Sequence, residues 1–311
     1  AVYRSFDLSL EHVVALKENL DVSDEARRQF TTEARVLARL SHPNLPRVTD
    51  HFVLTGQGQY LVMDFIEGED LETKMTRVGV IAEEDAVPWI SQVSDALTYL
   101  HTLPTPIIHR DIKPANIRIT PQNKAVLVDF GLVKLYDPST KTTIGARAIT
   151  PGYSPPEQYG QGSTNIQTDV YALGATLYAL ITGQQPIESV HRLTGQELPT
   201  PIAVNPKITG PVSKAVEQAM DVNPSRRFQA VADFRLALGG AAPPAPGGRA
   251  STPLPAALPA PAGNRAVRVA IGLVGALVVL GGAFFGLSQA GVFAPAATAA
   301  RLPPHPAPVG S

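Results

Sequence analysis

The chain changes character after Leu238. Its last 73 residues hold 12 of the 29 prolines, four arginines (Arg249, Arg265, Arg268, Arg301) and no aspartate or glutamate. Residues 239–264 are rich in Pro, Ala and Gly and carry one charge. That composition buries no core and favours an extended linker. Residues 269–287 then run for 19 positions without a polar side chain. As a helix they would reach roughly 28 Å, against about 30 Å of bilayer hydrocarbon. They read as a membrane span, because a core helix usually keeps a polar face and a Pro-rich linker offers nothing to pack against. Their position excludes a signal peptide. Three arginines precede the run within 20 residues and one follows it, which places the N-terminal part in the cytoplasm. Gly282 and Gly286 form a GxxxG pattern, which a helix dimer and a lone helix in lipid explain equally well. Whatever folds as a globule therefore lies in residues 1–238.

Those residues carry 22 Lys and Arg against 27 Asp and Glu, a net of -5 that the tail offsets to the overall -1. The balance argues against a nucleic-acid partner. The absence of cysteine removes disulfides, thiolate metal sites and cysteine nucleophiles. β-rich runs at Val13–Lys17 and Tyr60–Phe65 predict strands. Asp24–Leu40 has helical spacing, stopped by Ser41-His42-Pro43-Asn44. Glu83–Leu103 predicts a long helix carrying a core Trp89, and Ala125–Val128 a short buried strand. From Asp169 the pattern is helical, broken at Gly183, across Pro199–Pro211 and at Asn223-Pro224. The seven histidines show no metal-ligand spacing, and His109 reads as a packing residue.

The chemistry is carried by four sites in a fixed order. His109-Arg110-Asp111-Ile112-Lys113-Pro114-Ala115-Asn116 supplies a carboxylate to orient and deprotonate a hydroxyl, an ammonium to neutralise a moving phosphoryl group, and an amide oxygen for a hard cation. Asp129-Phe130-Gly131 follows a strand and offers a second cation ligand. Lys17 closes Val14-Ala15-Leu16-Lys17, and Glu33 sits on the amphipathic helix where it would pair with Lys17.

In this ordered set, ending in Pro155-Pro156-Glu157, the chain resembles the Hanks-type (eukaryotic-like) Ser/Thr protein kinases, in particular the membrane kinases of bacteria. The resemblance covers Ala1 to about Leu238. It implies an α+β bilobal fold, with a small β-rich N-lobe containing helix C and a larger helical C-lobe. The domains would be a kinase domain (1–238), a juxtamembrane linker (239–268), one transmembrane helix (269–287) and a short extracytoplasmic tail (288–311). It further implies ATP and Mg²⁺ or Mn²⁺ as cofactors, protein Ser/Thr hydroxyls as acceptors, and location in the plasma membrane with the kinase domain cytoplasmic. The membrane lipid would be contacted through one helix, and a homodimer is a further expected partner.

By the same resemblance Lys17 contacts the ATP α- and β-phosphates and Glu33 holds it. Val2 and Ala15 cover the adenine ring, Met63 is the gatekeeper, and Asp64 to Ile66 form the hinge that reads the base. Asp70 matches the ribose contact and equally suits an N-cap. Asp111 is the catalytic base, Lys113 the phosphate contact, and Asn116 and Asp129 the metal ligands. Arg110 would pair with a phosphate on the activation loop, where Ser139, Thr140, Thr142 and Thr143 lie and the last two are the preferred sites. Thr150 matches the substrate-binding loop, Glu157 and Arg227 a buried ion pair, and Asp169 the anchor of the catalytic loop.

Two departures stand against the family pattern. No glycine-rich loop is present in the sequence; in the family G-x-G-x-x-G comes immediately before the position of Ala1, which reads as a truncation of about 25 residues. The alternative is a chain without that loop, a non-catalytic pseudokinase-like scaffold. Arg118 stands where an apolar residue usually forms the adenine floor, and its aliphatic stem can pack there. A small-molecule kinase is disfavoured by the peptide-platform signature from Thr150 to Glu157.

Overall fold

Alternation of buried and half-buried residues builds the first layer. In β4 (Gly58–Asp64) Gln59, Leu61 and Met63 turn inward while Tyr60 and Val62 are half-buried, the period of two that a strand imposes. β4 pairs antiparallel with β2 (His12–Asn19), placing Ala15 opposite Met63 and Lys17 opposite Leu61. β1 (Val2–Asp7) joins the far edge of β2, and β3 (Val48–Leu54) the other edge of β4, so the sheet order is β1-β2-β4-β3. The computed structural model describes residues 1–20, 23–54, 58–129, 134–135, 149–160 and 163–239. Within α1 (Asp24–Leu37) the side chains of residues 24–27, 29 and 33 are outside that description.

Helix α1 puts Ala34 and Leu37 into the cluster that holds Leu61 and Met63. It stops three residues short of the sequence expectation. Arg39 N–H donates to Val36 and Leu40 N–H to Leu37, so the last turn tightens to i→i+3 bonding before Pro43, as frayed helix ends do.

The second lobe is built around α5 (Ile166–Thr182). Every residue from Thr168 to Thr182 is buried, the signature of a central helix with no polar face. α3 (Glu83–His101), α8 (Gly210–Ala219) and α9 (Val231–Ala237) pack around it. Trp89 of α3 is buried, as expected, and its Nε1–H donates to Asn123 Oδ1 at 2.8 Å. Gly183 ends α5 in the left-handed region (φ 70), its N–H donating to Ala179. Between Pro199 and Pro211 the expected break contains structure of its own. α7 (Pro201–Val204) and α8 each carry a proline in the first turn, where the missing N–H is an orphan anyway.

Short elements frame the space between the lobes. After the hinge, β5 (Glu69–Asp70) runs into α2 (Leu71–Val78), and β5 pairs with β7 (Ile117–Ile119), which pairs with β8 (Ala125–Leu127). β6 (Ile107–Ile108) pairs with β9 (Lys134–Leu135). α4 (Pro156–Tyr159) and α6 (Ser189–Leu193) complete the lower rim. Among the described residues no helix is long and apolar enough to cross a membrane. The run 269–287, its linker after residue 239, the tail, Phe130, Gly131 and the hydroxyls Ser139 to Thr143 lie outside the described residues.

Candidate active site

Asp111 follows β6 and is surrounded by donors. Asn116 Nδ2 donates to its carboxylate at 2.9 Å and to its main-chain oxygen at 2.8 Å. Thr150 Oγ1 donates to the other carboxylate oxygen at 2.9 Å. Lys113 Nζ stands 3.0 Å from Asp111 Oδ2 and donates to Thr150 Oγ1 at 3.3 Å. The spacing that looked meaningful in sequence has a local cause. A 3-10 turn over Pro114–Asn116, closed by Asn116 N–H to the Lys113 carbonyl, folds the amide back onto Asp111. Thr150 arrives from 39 positions away. The result is a hydroxyl, a carboxylate and an ammonium in one hydrogen-bonded set.

This set hangs from α5. Asp169, fully buried, accepts the main-chain N–H of His109 at 2.9 Å and of Arg110 at 2.8 Å, and lies 2.8 Å from His101 Nε2. Gln158 Nε2 donates to the Arg110 carbonyl at 2.9 Å. These contacts hold Arg110 in the left-handed region (φ 71), a conformation that costs free energy for a residue with a Cβ and persists only where neighbours over-determine it. Asp129 is held likewise (φ 66), just after Val128 N–H donates to the Asn116 carbonyl at 2.8 Å. His109 is fully buried, and burial pushes its imidazole below the ordinary histidine range, against the pull of the Asp169 carboxylate. It stays neutral and packs.

The two lobes meet over a cleft of about 330 Å³. Val2, Ala15 and Met63 line it from the sheet, Asp64 and Ile66 from the hinge, and Asn116, Val128 and Asp129 from the second lobe. Lys17 crosses this cleft to pair with Asp129, joining side chains 112 positions apart. That contact was not foreseen; the expected partner Glu33 has its side chain outside the described residues. Asp70 does not line the cleft. It caps α2, accepting Thr73 N–H at 2.8 Å and Thr73 Oγ1–H at 2.9 Å, the capping half of its dual expectation.

Asn116 turns its amide nitrogen to Asp111, which leaves its oxygen facing away from that carboxylate. Asn116 and Asp129 together offer hard oxygen donors at the cleft, a donor set that suits Mg²⁺ or Mn²⁺. Among the described residues no group of three or more His, Cys, Asp and Glu forms a metal cage. A cation here would draw its remaining ligands from water and nucleotide phosphates, the usual habit of Mg²⁺.

One positioning residue escaped the sequence reading. Asn44, part of the helix stop, sends Nδ2 to the Ala125 carbonyl at 2.7 Å, and its own main-chain carbonyl accepts Leu127 N–H at 2.9 Å. It stitches the loop after α1 to the strand that delivers Asp129. The Asn after the proline was the visible signal. At the lower rim Arg227, with its side chain fully buried, makes a bidentate pair with Glu157 at 2.7 and 3.1 Å, and Thr168 Oγ1 donates to the same carboxylate at 3.0 Å. Tyr153 beside Thr150 is pushed up to about 12 by burial, so its phenol remains protonated.

Residues 1–232 match the protein kinase domain family. Serine/threonine-protein kinase PknA of Mycobacterium tuberculosis is 32% identical over 265 residues, covering 79% of this chain and 60% of PknA. PknE of Mycobacterium bovis is 31% identical over 244 residues, covering 76% of this chain and 43% of PknE. PknH of Mycobacterium tuberculosis is 32% identical over 217 residues, covering 68% of this chain and 34% of PknH. The chain thus spans between about a third and three fifths of the length of these relatives. With a four-stranded sheet lobe, a helical lobe and this cleft between them, the chain belongs to the protein kinase family.

Proposed function

We propose that this chain is the catalytic part of a membrane-anchored Ser/Thr protein kinase, moving the γ-phosphoryl group of ATP to a protein hydroxyl. The observation that carries the reading is the Asp111 set: a hydroxyl held 2.9 Å from a carboxylate, with an ammonium beside both, bonded to the Asn116 side chain that lines the cleft with Lys17 and Asp129. An acceptor hydroxyl that took a similar place would donate its proton to Asp111 and be oriented for attack. Lys113 would neutralise charge on the phosphoryl group in flight, and Lys17 would hold the α- and β-phosphates. Asn116 and Asp129 would hold Mg²⁺ or Mn²⁺; when bound, the cation supplies charge neutralisation at the phosphates. The names of the mycobacterial relatives support the Ser/Thr acceptor.

The run 269–287 would place the protein in the plasma membrane as a single-pass protein with the kinase domain cytoplasmic. Contact with lipid and self-association through that helix belong to the same proposal, as does autophosphorylation at Thr142 or Thr143 ordered by Arg110. The decisive experiment is incorporation of labelled phosphate from ATP with Mg²⁺ or Mn²⁺ in the full chain and in Asp111→Asn. The expected result is labelling on Ser or Thr that drops at least about a hundredfold in the variant. Equal labelling of both proteins, or none in the parent, would overturn the reading.

A further inference from the structure

One segment grips the catalytic loop at two neighbouring residues. Thr150 Oγ1 donates to the Asp111 carboxylate at 2.9 Å, and Gln158 Nε2 donates to the Arg110 carbonyl at 2.9 Å. The second grip bears directly on Asp111. The Arg110 carbonyl belongs to the planar peptide group that leads into Asp111, so whatever holds it sets the plane from which the Asp111 side chain hangs. Asp169 acts on the other side of Arg110. Its main-chain partners are the N–H groups of His109 and Arg110, which belong to the two preceding peptide groups. Arg110 itself stands in the left-handed region (φ 71), where a residue with a Cβ stays only while its neighbours hold it. Asp169 fixes the plane before it, and Gln158 fixes the plane after it.

Gln158 is the third residue of α4 and is 3% exposed. Its two neighbours bolt that short helix to the second lobe. Glu157 pairs with Arg227 at 2.7 and 3.1 Å, and the Tyr159 hydroxyl donates to Glu188 at 3.1 Å. Upstream, Thr150 N–H donates to Ser154 Oγ and Ser154 N–H to the Thr150 carbonyl, while Ser189 Oγ donates to the Ser154 carbonyl at 2.8 Å. Residues 150–158 therefore form one braced segment. Packing alone does not account for an amide at its end. Gln158 Oε1 is buried with no hydrogen-bond partner among the described residues, so an apolar side chain of the same length would avoid a desolvation cost. What glutamine adds there is the donor Nε2. A carbonyl only accepts, which settles which amide atom faces Arg110.

We propose, resting on the reading of Asp111 as catalytic base, that Gln158 is a positioning residue for phosphoryl transfer: its amide ties the Arg110–Asp111 peptide plane to the Thr150–Gln158 segment, so that the Asp111 carboxylate is aimed at the hydroxyl this segment presents. Gln158 is not among the residues that line the nucleotide cleft, and it acts only through Asp111. Removing its donor lets the peptide plane rotate and swings the carboxylate away from the acceptor, while the cleft is left as it was. The effect therefore falls on the rate of transfer and not on ATP affinity. It vanishes in a chain whose residue 111 no longer works as a base.

The test is incorporation of labelled phosphate from ATP into the full chain, with calorimetric ATP binding and thermal melts. It compares the parent, Gln158→Met, Asp111→Asn and the double variant. Methionine matches the length of glutamine and lacks the donor. Gln158→Met is expected to lower the rate at saturating ATP about tenfold. KM and Kd for ATP should stay within about twofold of the parent, the mark of an interaction felt in the transition state. In the Asp111→Asn background the same substitution should change the residual rate by less than about twofold, because residues that act as a unit are not additive. A loss of less than about threefold in the parent background overturns the proposal. So does an equal loss in both backgrounds, or a loss that lies in ATP affinity, since either makes Gln158 a general support of the fold. Gln158→Leu is the second variant should Gln158→Met melt below the assay temperature, and failure of both to fold makes the residue structural and overturns the proposal too. A parent that incorporates no phosphate overturns the kinase reading itself, whereas an active parent matched by Gln158→Met overturns only the role of Gln158.

Discussion

Asp169 shows how much one buried side chain can determine. It is fully buried and faces two main-chain donors and one imidazole. All three donors belong to the segment that presents Asp111 or to the helix beneath it. A carboxylate in such a place is satisfied by its partners rather than by water, so removing it strands every one of them. Asp169→Ala is expected to lower stability by about 3 kcal/mol or more, since each abandoned buried donor costs about 1–3 kcal/mol. It should also loosen the left-handed conformation of Arg110, whose main-chain N–H donates to Asp169. Urea unfolding of the full chain measures the first effect, and hydrogen exchange at the His109 and Arg110 amides the second. A variant with the parent's midpoint and the parent's protection at those two amides would show that the anchor is dispensable.

At the level of elements, packing is decided by α5. Gly174 on this helix has no side chain where α8 crosses it, and a Cβ there would stand 2.7 Å from Ala219 Cβ. The helices are at closest approach, so Gly174→Val must push α8 away or tilt it. Overpacking of this kind costs about 1–3 kcal/mol, and thermal unfolding should show a melting temperature several degrees lower. A melt that overlays the parent would mean α8 has room to move. The central helix, α3 and the paired strands β2 and β4 were legible in the sequence because the residue types and spacings that mark them are written in consecutive residues. The Asp111–Asn116 cluster was legible for the same reason: its members lie within six consecutive positions. The pairing of Lys17 with Asp129, the reach of Thr150 to Asp111 and the stitch from Asn44 to β8 were not. They join residues dozens of positions apart, and no local pattern encodes which distant partner a polar side chain meets. Arg118 was visible as an anomaly, but its bonds to the Ile66 and Gly68 carbonyls depend on how closely the hinge passes β7, which is a tertiary fact. Proline misled only in part. Pro43 lies six residues past the end of α1 and at most keeps it from resuming, while Pro201 and Pro211 start helices, because the restriction that forbids proline inside a helix suits the first turn.

For the whole molecule the governing contrast is between an acidic folded part, net -5 over residues 1–238, and an acid-free tail whose four arginines flank the 19-residue apolar run. The proposed span makes a demand on kinetics as well as on location. If one molecule phosphorylates the loop of another, the rate per molecule depends on how often two kinase domains meet. In bulk solution that frequency falls with dilution. Confinement to a bilayer fixes it by surface density instead, an effective concentration that bulk dilution leaves untouched. The full chain is therefore expected to sediment with lipid vesicles, and a chain lacking residues 269–287 to remain in the supernatant. Over a hundredfold dilution, autophosphorylation per molecule should fall roughly in proportion for the shortened chain and by less than about twofold for the vesicle-bound one. The two readouts separate the two claims. A full chain that stays in the supernatant removes the membrane span. A shortened chain whose rate per molecule ignores dilution shows that each kinase domain phosphorylates its own loop, and removes the need for a partner even where the span is real.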